Sequence, residues 1–165
     1  MSRLIILVLA FSGCAKTPDL PDAVVRAGST GEMADFRAEL GNHFAAEQLR
    51  PLDTALDELK LDAMNRGVST AVDREQDMLT AVNGKTVRDV LVLGWHARKA
   101  RFLREIAELT KLLDHDLQQQ EKTAGTGTPE SVTHRIESER EVLDQLHHNL
   151  AETERRLAGW SRPGS

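Results

Sequence analysis

Apolar positions along the chain recur at helical spacing in five stretches, and the breaks between them fall at residues that start or stop helices. Met33, Phe36, Leu40 and Phe44 share one face of a first helix. That helix starts after Ser29, because a serine with Glu32 three positions on is a capping-box pattern. Pro51 lacks the N–H that an interior turn uses but suits a first turn, so it is expected to divide this helix from a second one. The second carries Leu52, Ala55, Leu56, Leu59 and Met64 as its stripe, runs to Asn65 and stops at Gly67. Thr70 with Asp73 predicts the cap of a short third helix through Met78, Leu79 and Val82, closed by Asn83-Gly84.

A much longer pattern runs from Thr86, again with an acid three positions on at Asp89, to about Lys122, roughly 55 Å of helix at 1.5 Å per residue. Its stripe is Val87, Leu91, Trp95, Arg98, Phe102, Ile106, Leu109, Leu113 and Leu117. Val90, Leu93, Ala97, Ala100 and Leu103 add a second apolar face, which calls for a second set of neighbours. The first three helices are expected over its N-terminal half. Its other partner follows a Gly-Thr loop at 123–128, where Pro129 opens a last helix. Val132, Ile136, Glu139, Leu143, Leu146, Leu150, Thr153, Leu157 and Trp160 alternate by four and three, a heptad seam of the coiled-coil kind.

A short loop between two long helices makes them antiparallel neighbours, with facing residue numbers summing to about 251. That register sets Trp160 near Leu91 and Trp95, and Arg98 near Glu152 or Glu154. The predicted fold is therefore all-α, a small base of three short helices plus a long antiparallel two-helix hairpin over 86–122 and 129–159. Composition agrees: aromatics are 4% with no tyrosine, a poor stock for a β-sandwich or barrel.

The chain opens differently. A lone Arg3, an apolar run from Leu4 to Phe11 and small residues leading into Cys14 have the pattern of an export signal. The run is far short of the roughly 20 residues that span a hydrocarbon core. Phe11-Ser12-Gly13-Cys14 resembles the lipobox of bacterial lipoproteins. The resemblance implies cleavage before Cys14, a diacylglycerol on its thiol with further acylation such as palmitate, and attachment to the membrane through that lipid. Ala15 is not the aspartate that signals inner-membrane retention in such proteins, so the implied location is the periplasmic face of the outer membrane. The expected organisation is a signal peptide over 1–13, a lipidated tether over 14–28 with Pro18, Pro21, Gly28 and no helical period, and a single helical domain over 29–165. Cys14 is the sole cysteine, so no disulfide supports the fold.

Losing the signal and its one basic residue changes the net charge from −5 to −6, with no basic block elsewhere, which argues against nucleic acid as a partner. Gly84-Lys85-Thr86 suggests a phosphate loop, yet the glycine needed five positions earlier is Leu79 and no strand precedes it. These residues read instead as a helix stop and a helix cap. His115, flanked by Asp114 and Asp116 and facing His134 across the hairpin, is a candidate metal site, although no His pair at i, i+4 supports it. His147 and His148 point about 100° apart and cannot chelate together. No Ser-His-Asp or Cys-His arrangement is present, so neither an enzyme nor a cofactor is expected.

The run Val82-Asn83-Gly84-Lys85-Thr86-Val87-Arg88-Asp89-Val90, with Phe36 and Leu56-Asp57-Glu58-Leu59, resembles a group of small bacterial lipoproteins of no assigned activity. In these a short helical domain carries a hydrophobic-x-Gly-Lys-Thr-x-x-acid-aliphatic signature. The similarity covers less than half of the chain and implies a helical envelope lipoprotein. Together these readings predict a membrane-anchored, non-enzymatic binding or structural module that engages another envelope protein through its hairpin. The alternative is a periplasmic metal- or small-ligand-binding protein using His115, Asp116 and His134.

Overall fold

A computed structural model describes residues 19–123, 127 and 129–160, which form five α-helices and, among the described residues, no strand. They are α1 (Thr30–Gly41), α2 (Ala46–Asn65), α3 (Ala71–Val82), α4 (Val87–Thr123) and α5 (Glu130–Trp160), preceded by a 3-10 turn at Leu20–Asp22. The N-terminal caps of three helices follow the sequence. Ser29 Oγ accepts from the Glu32 N–H at 3.2 Å, Thr70 Oγ1 from Asp73 at 3.0 Å and Thr86 Oγ1 from Asp89 at 3.2 Å. The Asp89 carboxylate closes its box by accepting from the Thr86 N–H, whereas that of Glu32 reaches one residue further, to the Gly28 N–H at 2.9 Å.

Pro51 does not divide two helices. It lies inside α2, whose start is set instead by Gln48, its Oε1 accepting from the Ala45 N–H at 2.9 Å. The interruption is tolerated because the carbonyl deprived of its helical donor belongs to Glu47, an exposed residue of the first turn that solvent reaches. Phe44 falls in the connection after α1, yet still packs on the core. Met64 is 49% exposed and does not belong to the α2 stripe, which passes through Ala63, fully buried two turns after Leu56.

The core forms where α2 crosses α4. Gly94 permits this crossing, because a Cβ there would lie 2.4 Å from the Ala55 Cα. Val82, Val87, Val90, Leu79 and Met78 fill the adjoining space, and α3 is tied to α2 by Lys60–Glu75 at 2.6 Å and Arg66–Asp77 at 2.5 Å. Helix α5 runs antiparallel to α4, with Arg135 on Asp116 towards one end and Lys99 on Glu154, 2.7 Å apart, towards the other. Val132, Ile136, Leu143, Thr153 and Leu157 of its seam are buried. Thr153 satisfies its hydroxyl by donating to the Asn149 carbonyl at 2.8 Å.

The expected tether ends sooner than Gly28. Ala23, Val25 and Ala27 are buried while Val24 and Arg26 point outward, the period-two alternation of an extended segment. The backbone is clamped by Val25 N–H to Lys85 carbonyl at 2.8 Å, Gly84 N–H to Val25 carbonyl at 2.9 Å and Val87 N–H to Ala23 carbonyl at 2.8 Å. These bonds order a segment that has no helical period. Cys14 and the whole of residues 1–13 lie outside the described residues. No described helix is long and apolar enough to cross a membrane.

Candidate functional site

The Gly-Lys-Thr signature builds a clasp for that extended segment. Val82, Val87 and Val90 anchor it as fully buried side chains, and Gly84 turns the chain at φ +75°, a backbone region that favours glycine. Asn83 Oδ1 accepts from the Ala27 N–H at 2.9 Å. The Gly84 N–H is already donated to Val25 and the Thr86 hydroxyl is engaged with Asp89, so these groups serve the fold rather than a phosphate.

The three candidate metal ligands do not come together. Asp116 is 4% exposed and receives the guanidinium of Arg135, whose Nη2 lies 2.9 Å from Oδ1 and whose Nε contacts Oδ2. That guanidinium holds the Asp116 carboxyl below its ordinary value, overcoming the opposing effect of burial. His115 is exposed, its Nδ1 3.3 Å from Asp116 Oδ1, and His134 lies beside Glu130 and Glu137 of its own helix, at 3.4 and 3.7 Å. Among the described residues no group of three His, Cys, Asp or Glu side chains is placed to hold a metal ion.

A more substantial feature lies where α2, α4 and α5 meet. A cleft of about 310 Å³ opens there over Trp95, with Arg50 from α2, Arg98 from α4 and Arg156 from α5 in its wall, opposed by Glu47 and Glu152. Trp95 is 4% exposed, and the guanidinium carbons of Arg98 and Arg156 lie over its ring at 5.1 and 5.2 Å from the centroid. Arg98 makes no ion pair within 4 Å with Glu152 or Glu154, although its charge is felt by Glu152. Its nearest acid is Glu58 of α2, 3.8 Å from Nε. Glu58 is buried and meets Arg101 through two bonds of 2.9 and 2.6 Å, so it has little left to give Arg98. Glu154 goes to Lys99 one residue on, and Glu152 to Arg156 one turn along its own helix, at 2.7 Å. Hydrogen bonding to Arg156 lowers the Glu152 pKa, and the nearby charge of Arg98 adds to the effect.

Two buried donors on residues that line the cleft, Trp95 Nε1 and Arg98 Nε, have no hydrogen-bond partner among the described residues. Sequence reasoning placed Trp95 and Arg98 on one stripe but missed the cleft. Its other walls come from Arg50 and Arg156, distant in sequence and outside every apolar pattern.

Further along the helix pair, Leu109 and Leu112 of α4 and Val142 and Leu146 of α5 line a shallow apolar trough rimmed by Glu105 and Glu108. Leu112 and Val142 are about half exposed, as is Leu103. The trough follows the junction of the two helices, with Leu109 and Leu146 from their facing stripes and Leu112 and Val142 flanking them.

Compared with known proteins, the chain matches no family model, no curated protein and no solved structure. The described residues form an all-helical protein.

Proposed function

We propose that this protein is a lipid-anchored envelope module, held through Cys14 at the periplasmic face of the outer membrane, that binds another envelope protein without catalysis. In this reading one domain comprises a base of α1–α3 and a projecting hairpin of α4 and α5. The observation that carries it is the trough of Leu109, Leu112, Val142 and Leu146 between two long helices, in which Leu112 and Val142 are about half exposed. Glu108 at its edge, beside a Glu105 already paired to Arg101, favours a partner helix with an apolar stripe flanked by lysine or arginine.

The order of residues 20–27 supports this arrangement. Only residues 14–19 would remain as a tether, a reach of at most about 20 Å. The α4 N-terminus is held beside that short tether, while its far end lies about 55 Å away. An anchored base would thus present the trough well clear of the bilayer.

The anchor and the docking face are tested separately. Mass spectrometry of the mature N-terminus should find Cys14 acylated, and Cys14→Ser should release the protein from membranes or leave it uncleaved; an unmodified thiol would overturn the anchor. A photo-crosslinker at position 112 in intact cells should give one protein adduct that disappears when Val142 is replaced by glutamate. Adducts confined to lipoprotein-processing enzymes would overturn the docking face.

A further inference from the structure

Three arginines from three helices converge on the cleft over Trp95, and the two acids of its wall do not balance them. Glu152 is engaged with Arg156, and Arg50 has no ion-pair partner among the described residues. Arg98 keeps an acid only at 3.8 Å, too far for a hydrogen bond. Like charges brought together at a partly enclosed site repel one another, an arrangement that an added anion relieves.

Stacking explains the placement of the guanidiniums but not their unused donors. A guanidinium over an aromatic ring uses its face, leaving its N–H edge in the plane for an acceptor. Arg98 Nε and Trp95 Nε1, on two residues that line the cleft, are buried and have no hydrogen-bond partner among the described residues, and leaving a buried donor unpaired costs stability. Both lack an acceptor, and neither lacks a donor. The matching group is an oxyanion, since carboxylate and phosphate offer several lone pairs to a guanidinium fork.

We infer that the cleft lined by Arg50, Trp95, Arg98 and Arg156 is a binding site for the carboxylate or phosphate group of a small soluble molecule. Its volume of about 310 Å³ is at the lower end for ligand pockets, suited to a compact organic acid or phosphate ester. Thr54 and Thr153 complete the lining with hydroxyls already donated to the Arg50 and Asn149 carbonyls, which leaves the arginines as the anion donors. The site is independent of the apolar trough, so either can fail without the other.

Sodium phosphate and sodium succinate, titrated into the full chain at ionic strength held constant with sodium chloride, distinguish the two oxyanion chemistries. Calorimetry, together with Trp95 emission in a Trp160→Phe background, should show saturable binding at one site per chain for at least one probe. The melting temperature should rise with that probe. Arg50→Gln, at an exposed position where folding should be unaffected, should weaken binding about tenfold, whereas Lys111→Gln on the hairpin should leave it unchanged. Circular dichroism would verify that both variants are folded. No saturable binding of either probe up to about 10 mM would overturn the assignment. So would equal affinity in the Arg50 variant, or an equal loss in both variants.

Discussion

Asp116 and Arg135 meet across α4 and α5 in a two-pronged ion pair, with their numbers related as an antiparallel register summing to about 251 requires. The acid is buried and the base half exposed, so the pair fixes alignment at the loop end of the helices, beside the buried Val132 and Ile136. Because Arg135 lowers the Asp116 pKa in the folded state, its contribution is present above the unfolded value near 3.8 and is lost as pH falls through the folded value. Urea midpoints followed from about pH 6 to about pH 3 should therefore decline less steeply for Asp116→Asn than for the native chain. Parallel profiles would remove the pair from the acid response.

Gly94→Ala should destabilise strongly. The added Cβ would come within 2.4 Å of the Ala55 Cα, and backbone cannot yield as a flexible side chain does. A loss of about 1–3 kcal/mol or more is expected from overpacking, read as a lower urea midpoint with an unchanged slope. Alanine is otherwise the better helix former, so a stabilised variant would show that the crossing is looser than described.

Glu58→Gln should cost about 3 kcal/mol. The change leaves Arg101 with Glu105 alone and removes the nearest acid from Arg98. Since both arginines are about a quarter exposed, water recovers part of the lost interaction and the lower end of the range applies. A double-mutant cycle of Arg98→Ala with Glu58→Ala should show coupling, whereas cycles of Arg98→Ala with Glu152→Ala or Glu154→Ala should be small beside it.

The two tryptophans should respond unequally. Trp95 is nearly fully buried, and truncating it to alanine should cost about 3–5 kcal/mol. Trp160 packs at the margin of the core beside Leu157, so its removal should cost clearly less. Emission from a variant retaining only Trp95 should be blue-shifted and poorly quenched by acrylamide. The variant retaining only Trp160 should lie between that and free indole, and complete exposure would mean that the end of α5 frays.

Five helices, three of their caps, the heptad seam and the antiparallel register were legible in the sequence, because each depends on residues a few positions apart. A threonine with an acid three residues on caps a helix wherever it occurs, and a four-three alternation defines one buried stripe. The limits of that reading are equally local. Pro51 was misplaced because a proline shows the same signal in the first turn and just beyond it, and Gln48, which supplies the actual start, has no strong pattern. Residues 23–27 looked like a tether because their order depends on partners about 60 positions away, at Asn83 to Val87. Arg98 was assigned to the wrong helix because a charge on a stripe shows that it must be paired without showing by which neighbour. Only the close crossing at Gly94 and Ala55 brings Glu58 within its reach. The arginine cleft over Trp95 has the same origin: each guanidinium stands on a different helix, and tertiary packing alone decides that they converge.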